Sequence, residues 1–193
     1  MARPREFDAE EALDKAMRLF WSKGYHDSSI RDLVECTGVN QYGLYSVFDD
    51  KRGMFLAALD RYGDVVTRRF AERCRHPGPV VSVLEKAFDF LIGVMTAQSG
   101  GTGCMMCNTG IELAPHDAEI AGRVKAHMKR LEDAFADRLE QAAAVGELPG
   151  DLDRRATAEF LVATAYTLGV LARSGKSRAA MARHVRTALR TLT

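Results

Sequence analysis

Apolar residues recur at three- and four-residue intervals along almost the whole of this chain, and that spacing restricts it to helices. Ala9, Ala12, Leu13, Ala16, Met17 and Phe20 fall on one helical face, with Asp8 and Glu11 as a cap pair before them and Gly24 to end the helix. Ser29 with Asp32 heads a second, short helix, and Cys36-Thr37-Gly38-Val39 turns into a third over about 40–48. Asp49 and Asp50 cap a fourth over 50–73, and His76-Pro77-Gly78-Pro79 is the clearest breaker. Beyond it the pattern predicts helices over roughly 80–97, 104–113, 117–145, 153–173 and 177–192. No run alternates apolar and polar residues as a half-buried strand does. The expected fold is all-α, with about nine helices in two parts.

A length of 193 residues suffices for one sizeable core or two small ones. No segment approaches the ~18 apolar residues of a bilayer span. Met1-Ala2-Arg3-Pro4-Arg5-Glu6 leads into an amphipathic stretch, so no signal peptide and no membrane partner are expected, and the expected location is cytoplasmic. The formal charge is +1, and the first 52 residues carry eight Lys/Arg against ten Asp/Glu. That balance opposes strong non-specific binding to nucleic acid, because phosphate neutralisation supplies most of such affinity. It leaves room for a few well-placed contacts on a dimer.

The second and third helices, joined by a glycine-containing turn and backed by the first, have the layout of a helix-turn-helix unit. Leu44, Val47 and Phe48 would anchor the third helix, leaving Asn40, Gln41, Tyr42, Tyr45 and Ser46 outward. Asn and Gln can make paired hydrogen bonds to adenine, and tyrosine hydroxyls reach phosphates. Ile30-Arg31-Asp32-Leu33-Val34, Thr37-Gly38-Val39-Asn40, Leu44-Tyr45-Ser46-Val47-Phe48 and Lys51, taken together over roughly 7–59, resemble the DNA-binding signature of the TetR/AcrR family.

The resemblance implies a helix-turn-helix DNA-binding domain over 1–52 and a helical ligand-binding and dimerisation domain over 53–193. It implies a transcriptional regulator rather than an enzyme: a repressor released from double-stranded operator DNA by a small-molecule inducer or by thiol modification. Tyr45 and Lys51 would contact phosphate, Lys51 at a helix N-terminus, and Ser29 would cap helix two and touch phosphate. Gln41 and Tyr42 are candidates for base reading, and Arg3 and Arg5 form a short basic arm suited to the minor groove. Two positions depart from the pattern. Val47 replaces a common histidine, and Tyr42-Gly43 replaces a small residue followed by Thr or Ser. Gly43 removes a hydroxyl, costs the helix ~1 kcal/mol relative to Ala, and could let it approach DNA closely.

Gly103-Cys104-Met105-Met106-Cys107, followed by Glu112-Leu113-Ala114, resembles a subgroup of such regulators, some of which sense electrophiles or oxidants through a cysteine. Four cysteines are present, all expected to be reduced in the cytosol. For Cys104 and Cys107 three readings stand: small core residues, a redox switch centred on Cys104 at a helix N-terminus, or a metal site needing His116 or His127 to complete it. No cofactor or metal is assigned, and a thioredoxin-like enzyme lacks its βαβ context. A ligand cavity would draw walls from Phe88, Leu91, Met95, Met105, Met106, Met128, Phe135 and Tyr166, and polarity from Asn108, Glu112 and His127. Ordinary core packing is the alternative for each apolar residue. The resemblance further implies a homodimer through residues 153–192, where Phe160, Ala163, Thr167, Val170 and Leu171 could otherwise close the monomer core. Two rival functions remain: a small-molecule or electrophile-binding module without DNA binding, motivated by the acidic N-terminal balance, and a thiol-dependent enzyme.

Overall fold

A computed structural model describes residues 7–97 and 101–193. Among these residues there are nine α-helices, a terminal 3-10 turn and no strand. The expected all-α architecture is therefore observed. The chain divides into two compact units, one reaching to Asp64 and the other starting at Val65.

The first unit contains α1 (Ala9–Lys23), α2 (Ile30–Thr37), α3 (Gln41–Phe48) and the first half of α4 (Lys51–Cys74). Each helix starts on a side-chain oxygen that takes up backbone donors which the first turn leaves unpaired. Asp8 Oδ1 accepts from the N–H groups of Glu10 and Glu11 at 2.9 and 3.2 Å. Ser29 and Asp32 form a reciprocal capping box. Asn40 Oδ1 accepts from Gly43 N at 2.8 Å, and Asp50 Oδ1 from Gly53 N at 2.7 Å. The core between the helices is aromatic, with Phe20 edge-on to Phe55 and Trp21 edge-on to Tyr62, both at 5.1 Å. Leu33 and Leu44 are fully buried and tie α2 and α3 into this unit.

The second unit holds the rest of α4 with α5 (Val80–Met95), α6 (Met105–Glu112), α7 (Ala118–Ala144), α8 (Arg154–Arg173) and α9 (Arg178–Leu189), closed by a 3-10 turn at Arg190–Leu192. Phe70, Phe88 and Phe135 form its ring cluster, at 5.0 and 5.4 Å. α7 packs on α8, and α5 on α9. The buried line of α7 runs Ile120, Val124, His127, Leu131, Phe135, Leu139. Met128, expected among the walls of a ligand cavity, is instead 38% exposed. A 3.6-residue period takes the stripe from Val124 to His127, three on, rather than to the fourth residue. α5 has Pro79 at its N-cap and no side-chain cap of its own. Its first N–H, on Val80, donates to Glu147 Oε2 at 2.6 Å, from the loop after α7. Among the described residues no helix is long and apolar enough to cross a membrane.

Candidate nucleic-acid interface and thiol cluster

α3 has no charged residue, and its outward side is set by its frame. Leu44 is buried and Val47 and Phe48 are half-buried, so Gln41, Tyr42 and Ser46 stay exposed, Tyr42 at 86%. Tyr45, expected outward with Tyr42, is half-buried. Two polar candidates already use their groups locally. Asn40 Oδ1 caps the helix, and Ser46 Oγ donates to Gly43 O at 2.8 Å. Ser29 Oγ likewise donates to Asp32 Oδ2 at 2.7 Å while accepting from Asp32 N. Arg3 and Arg5 lie outside the described residues.

The junction from α3 to α4 is a tight device. Asp49 has φ 67° and ψ −56°, and Asp50 N donates to Phe48 O at 2.8 Å. This is a three-residue γ-turn of the strained, positive-φ kind. Gly53 lies so close that a Cβ there would stand 2.1 Å from the Phe48 carbonyl oxygen. The turn delivers Lys51 to the first position of α4. Its ammonium sits 4.3 Å from the centroid of the Tyr25 ring, whose face attracts a cation. Tyr25 is a residue that sequence reasoning missed. Its only sequence signal is an aromatic just after α1, and its relation to Lys51 is purely spatial.

The acidic balance of the N-terminal region is met by local pairing. Arg61 bonds both Glu10 and Asp14, Lys15 pairs with Glu11, and Lys23 pairs with Asp32 at 2.8 Å. The Lys23 hydrogen bond, followed by those from Ser29, holds the Asp32 carboxyl well below the usual carboxylate range.

In the second unit the residues expected at an effector site separate. Cys104 is the N-cap of α6 and Cys107 lies in its first turn. Both are buried, unbridged thiols. They face α8 at Gly169, where a Cβ would come within 3.0 Å of Cys104 Cβ and 3.6 Å of Cys107 Cβ. Burial, then the neighbouring Cys104, pushes the Cys107 thiol up to about 11. The Tyr166 hydroxyl is pushed up by burial first and then by both thiols, and it makes no hydrogen bond among the described residues. Cys104, Cys107 and Tyr166 thus form one cluster. Asn108 Nδ2 donates to Thr102 O at 2.9 Å, tying α6 to the loop before it. Met95 and Met106 are buried, and Glu112 is half-buried. His127 Nδ1 shares a hydrogen bond with Thr67 Oγ1 at 2.9 Å, and Phe135 is taken into the ring cluster. Burial, then Arg130, pushes His127 down to about 4, so its imidazole is neutral at pH 7. Among the described residues no three His, Cys, Asp or Glu side chains converge as a metal-binding group. A groove between α5 and α9 is lined by Glu85, Asp89, Ile92, Ala182, Val185 and Arg186, none of them in the expected effector set.

Comparison with known proteins places this geometry. Residues 12–58 match the family of bacterial regulatory proteins called tetR, and residues 81–188 match the tetracyclin repressor-like C-terminal domain. The chain belongs to the TetR family. It is 37% identical over 176 residues to the HTH-type transcriptional repressor ComR of Escherichia coli (strain K12), covering 91% of this chain and 84% of that protein. It is 32% identical over 174 residues to the HTH-type transcriptional regulator YezE of Bacillus subtilis (strain 168), covering 90% of each. Among solved structures, a cysteine mutant of the TetR family transcriptional regulator CifR, complexed with 26bp double-strand operator DNA, superposes with a TM-score of 0.88 at 25% identity. That match covers 99% of this chain and 100% of the other.

Proposed function

We propose that this TetR-family regulator represses transcription by binding double-stranded operator DNA as a homodimer, with one α3 in the major groove of each half-site. One observation carries the reading: an uncharged polar helix face, with Tyr42 projecting fully from it, is held on a frame whose helix starts are all capped. Gln41 and Tyr42 are the base-reading residues. Tyr45 and Lys51 meet phosphate, Lys51 adding its charge to the positive end of the α4 helix dipole. Asn40 caps through its Oδ1 and keeps its amide nitrogen for DNA, whereas Ser46 and Ser29 reach a phosphate only by turning their single O–H away from Gly43 O and Asp32 Oδ2. Arg3 and Arg5 enter the adjacent minor groove. The repressor name of the Escherichia coli relative and the operator complex of CifR support this assignment.

The dimer forms through residues 153–192. In the single chain Phe160 and Val170 of α8 are 45% and 53% exposed, in line with exposed Ala163 and Thr167. A two-fold dimer matches two half-sites spaced by about 34–36 Å of duplex. Release follows from a small ligand in the second unit or from modification of a thiol, for which Cys104 is the candidate. Either acts only through its differential affinity for the DNA-free and DNA-bound spacings of the two α3 helices, transmitted along α4.

Fluorescence anisotropy with duplexes tiled across the intergenic DNA beside the gene tests the reading. A specific complex at submicromolar protein supports it. The variant Lys51→Ala should weaken binding uniformly across sequences and reduce the salt slope by about one. A folded dimer that binds none of the duplexes at low salt would sink it and leave the ligand-binding module. Loss of affinity on treatment with an electrophile that persists equally in Cys104→Ser would remove Cys104 as the sensor.

A further inference from the structure

Arg138 is a buried guanidinium with no carboxylate beside it. It lies on the inner face of α7 at 7% exposure, three residues past Phe135 of the ring cluster. Arginine is seldom buried that deeply without an acidic partner, because a charge is far more costly to take out of water than a neutral group. Among the described residues Arg138 makes no ion pair, and its one hydrogen bond is donated by Nη2 to the Gly78 carbonyl, in the loop between α4 and α5. Its Nε–H is enclosed and makes no hydrogen bond among these residues. The seam between α4 and α7 runs through Thr67 and His127, then Phe70 and Phe135, and closes with Cys74 and Arg138. Cys74 is under the charge of Arg138 and of Arg75, although burial outweighs both and pushes its thiol up to about 12. Arg75 is exposed and likewise makes no ion pair among the described residues. Glu147 bonds Val80 N, two residues from Gly78, and pairs with neither arginine. The loop from Arg75 to Pro79 is itself exposed, so the Arg138 guanidinium lies one layer below the surface.

We propose that Arg138, with Arg75 at the rim, forms an anion site where the end of α4, the loop after it and α7 meet, and that the site takes the oxyanion of a small effector. The donors set the chemistry. Arg138 offers Nε–H and its remaining Nη–H groups in a planar fork that matches two oxygens on one carbon or phosphorus. Burial strengthens the attraction, because little water screens it. Arg75 adds a second positive charge from the exposed side. A carboxylate and a phosphate group share this chemistry, and a cation is excluded by it. The position gives the site its consequence. Cys74 is the last residue of α4, the helix that starts at Lys51 and along which release is transmitted. That effector role rests on the operator-binding reading above, whereas the anion site itself does not.

The test follows thermal melting of the full chain against sodium acetate, benzoate and phosphate in turn, at constant ionic strength, for wild type, R138M, R138K and R75A. At least one anion should raise the wild-type melting temperature by a few degrees for each tenfold excess over its half-saturating concentration. A rise with acetate or benzoate alone makes the ligand a carboxylate, and a rise with phosphate alone makes it a phosphate group. R138M removes the charge at similar bulk and should abolish the rise. R138K keeps a point charge without the fork and should raise the half-saturating concentration by about tenfold, R75A by less. The site is overturned if none of the three anions raises the wild-type melting temperature, or if the rise persists in R138M. Arg138 is then only a clasp on the Gly78 carbonyl. Should R138M not fold, an unchanged half-saturating concentration in R138K overturns the site. A second measurement reads anisotropy on one bound duplex at constant ionic strength. The saturating anion should change wild-type operator affinity by at least about fivefold and leave R138M or R138K less responsive. An anion that raises the melting temperature but leaves operator affinity unchanged overturns the effector role. A protein that melts higher with the anion yet binds no duplex overturns the operator-binding reading instead and leaves the anion site standing.

Discussion

Asp49 and Gly53 lie four residues apart and carry opposite expectations. Asp49 holds the strained centre of the α3–α4 turn, and glycine tolerates that φ without cost. Asp49→Gly should stabilise the protein by about 1 kcal/mol in urea unfolding, strain relief outweighing the added backbone entropy. Gly53→Ala should destabilise it by on the order of 3 kcal/mol, because the Cβ meets a backbone carbonyl that cannot rotate away. Equal midpoints for Gly53→Ala and wild type would refute the close approach. Neither role was legible in the sequence, where Asp49-Asp50 reads simply as a cap. Half of that reading is correct, since Asp50 is the cap. His127 makes a second prediction. Its folded pKa of about 4 lies below the ordinary 6.5, so between these values the unfolded chain binds the extra proton. Stability is therefore full above pH 6.5 and falls as pH drops towards 4, by up to roughly 3 kcal/mol from this residue. His127→Gln should flatten the stability profile over that window. An unchanged slope would mean that other groups set it.

At the scale of elements, helix ends were readable because capping is local: the donors left unpaired in a first turn lie within three residues of the side chain that takes them. Asp8, Ser29, Asn40, Asp117, Asp153 and Ser177 all act in this way. α5 breaks the pattern, since its cap comes from Glu147, 67 residues on. Glu147→Ala should cost about 1 kcal/mol, discounted for the exposure of that side chain, and Glu147→Gln less, because the amide oxygen still accepts from Val80 N. Hydrogen exchange at the start of α5 measures this directly, and unchanged protection in Glu147→Ala would show that the contact holds nothing. Met128, expected as a cavity wall, lies outside for a comparable reason. Met128 is the more apolar residue, but helix geometry and the Thr67 partner take His127 inside.

At the scale of the whole molecule, α8 is apolar on two sides. Leu161, Ala165, Leu168 and Ala172 are buried within the second unit, while Phe160 and Val170 remain exposed. Phe160, Ala163, Thr167 and Val170 share one exposed face of α8, the face through which the proposed dimer forms. Phe160→Glu should convert a dimer into a monomer in light scattering and weaken operator binding by at least about tenfold, since one half-site is lost. A dimer of unchanged mass would place the interface elsewhere. The thiol pair belongs to the same scale. A Cys-x-x-Cys spacing could not tell core residues from a sensor, and the outcome depends on α8, where Gly169 accepts both side chains and Tyr166 brings a buried hydroxyl beside them.

The sequence by itself determined the helices, the caps at Asp8, Ser29 and Asp50, and the outward polar face of α3. These follow from 3.6-residue periodicity and from hydrogen bonds closed within one turn. Tertiary structure alone decided what meets across the fold: the Tyr25 ring under Lys51, Glu147 on the start of α5, and Cys104 and Cys107 against α8. Such pairs depend on how helices pack, and no local pattern encodes a contact between residues tens of positions apart.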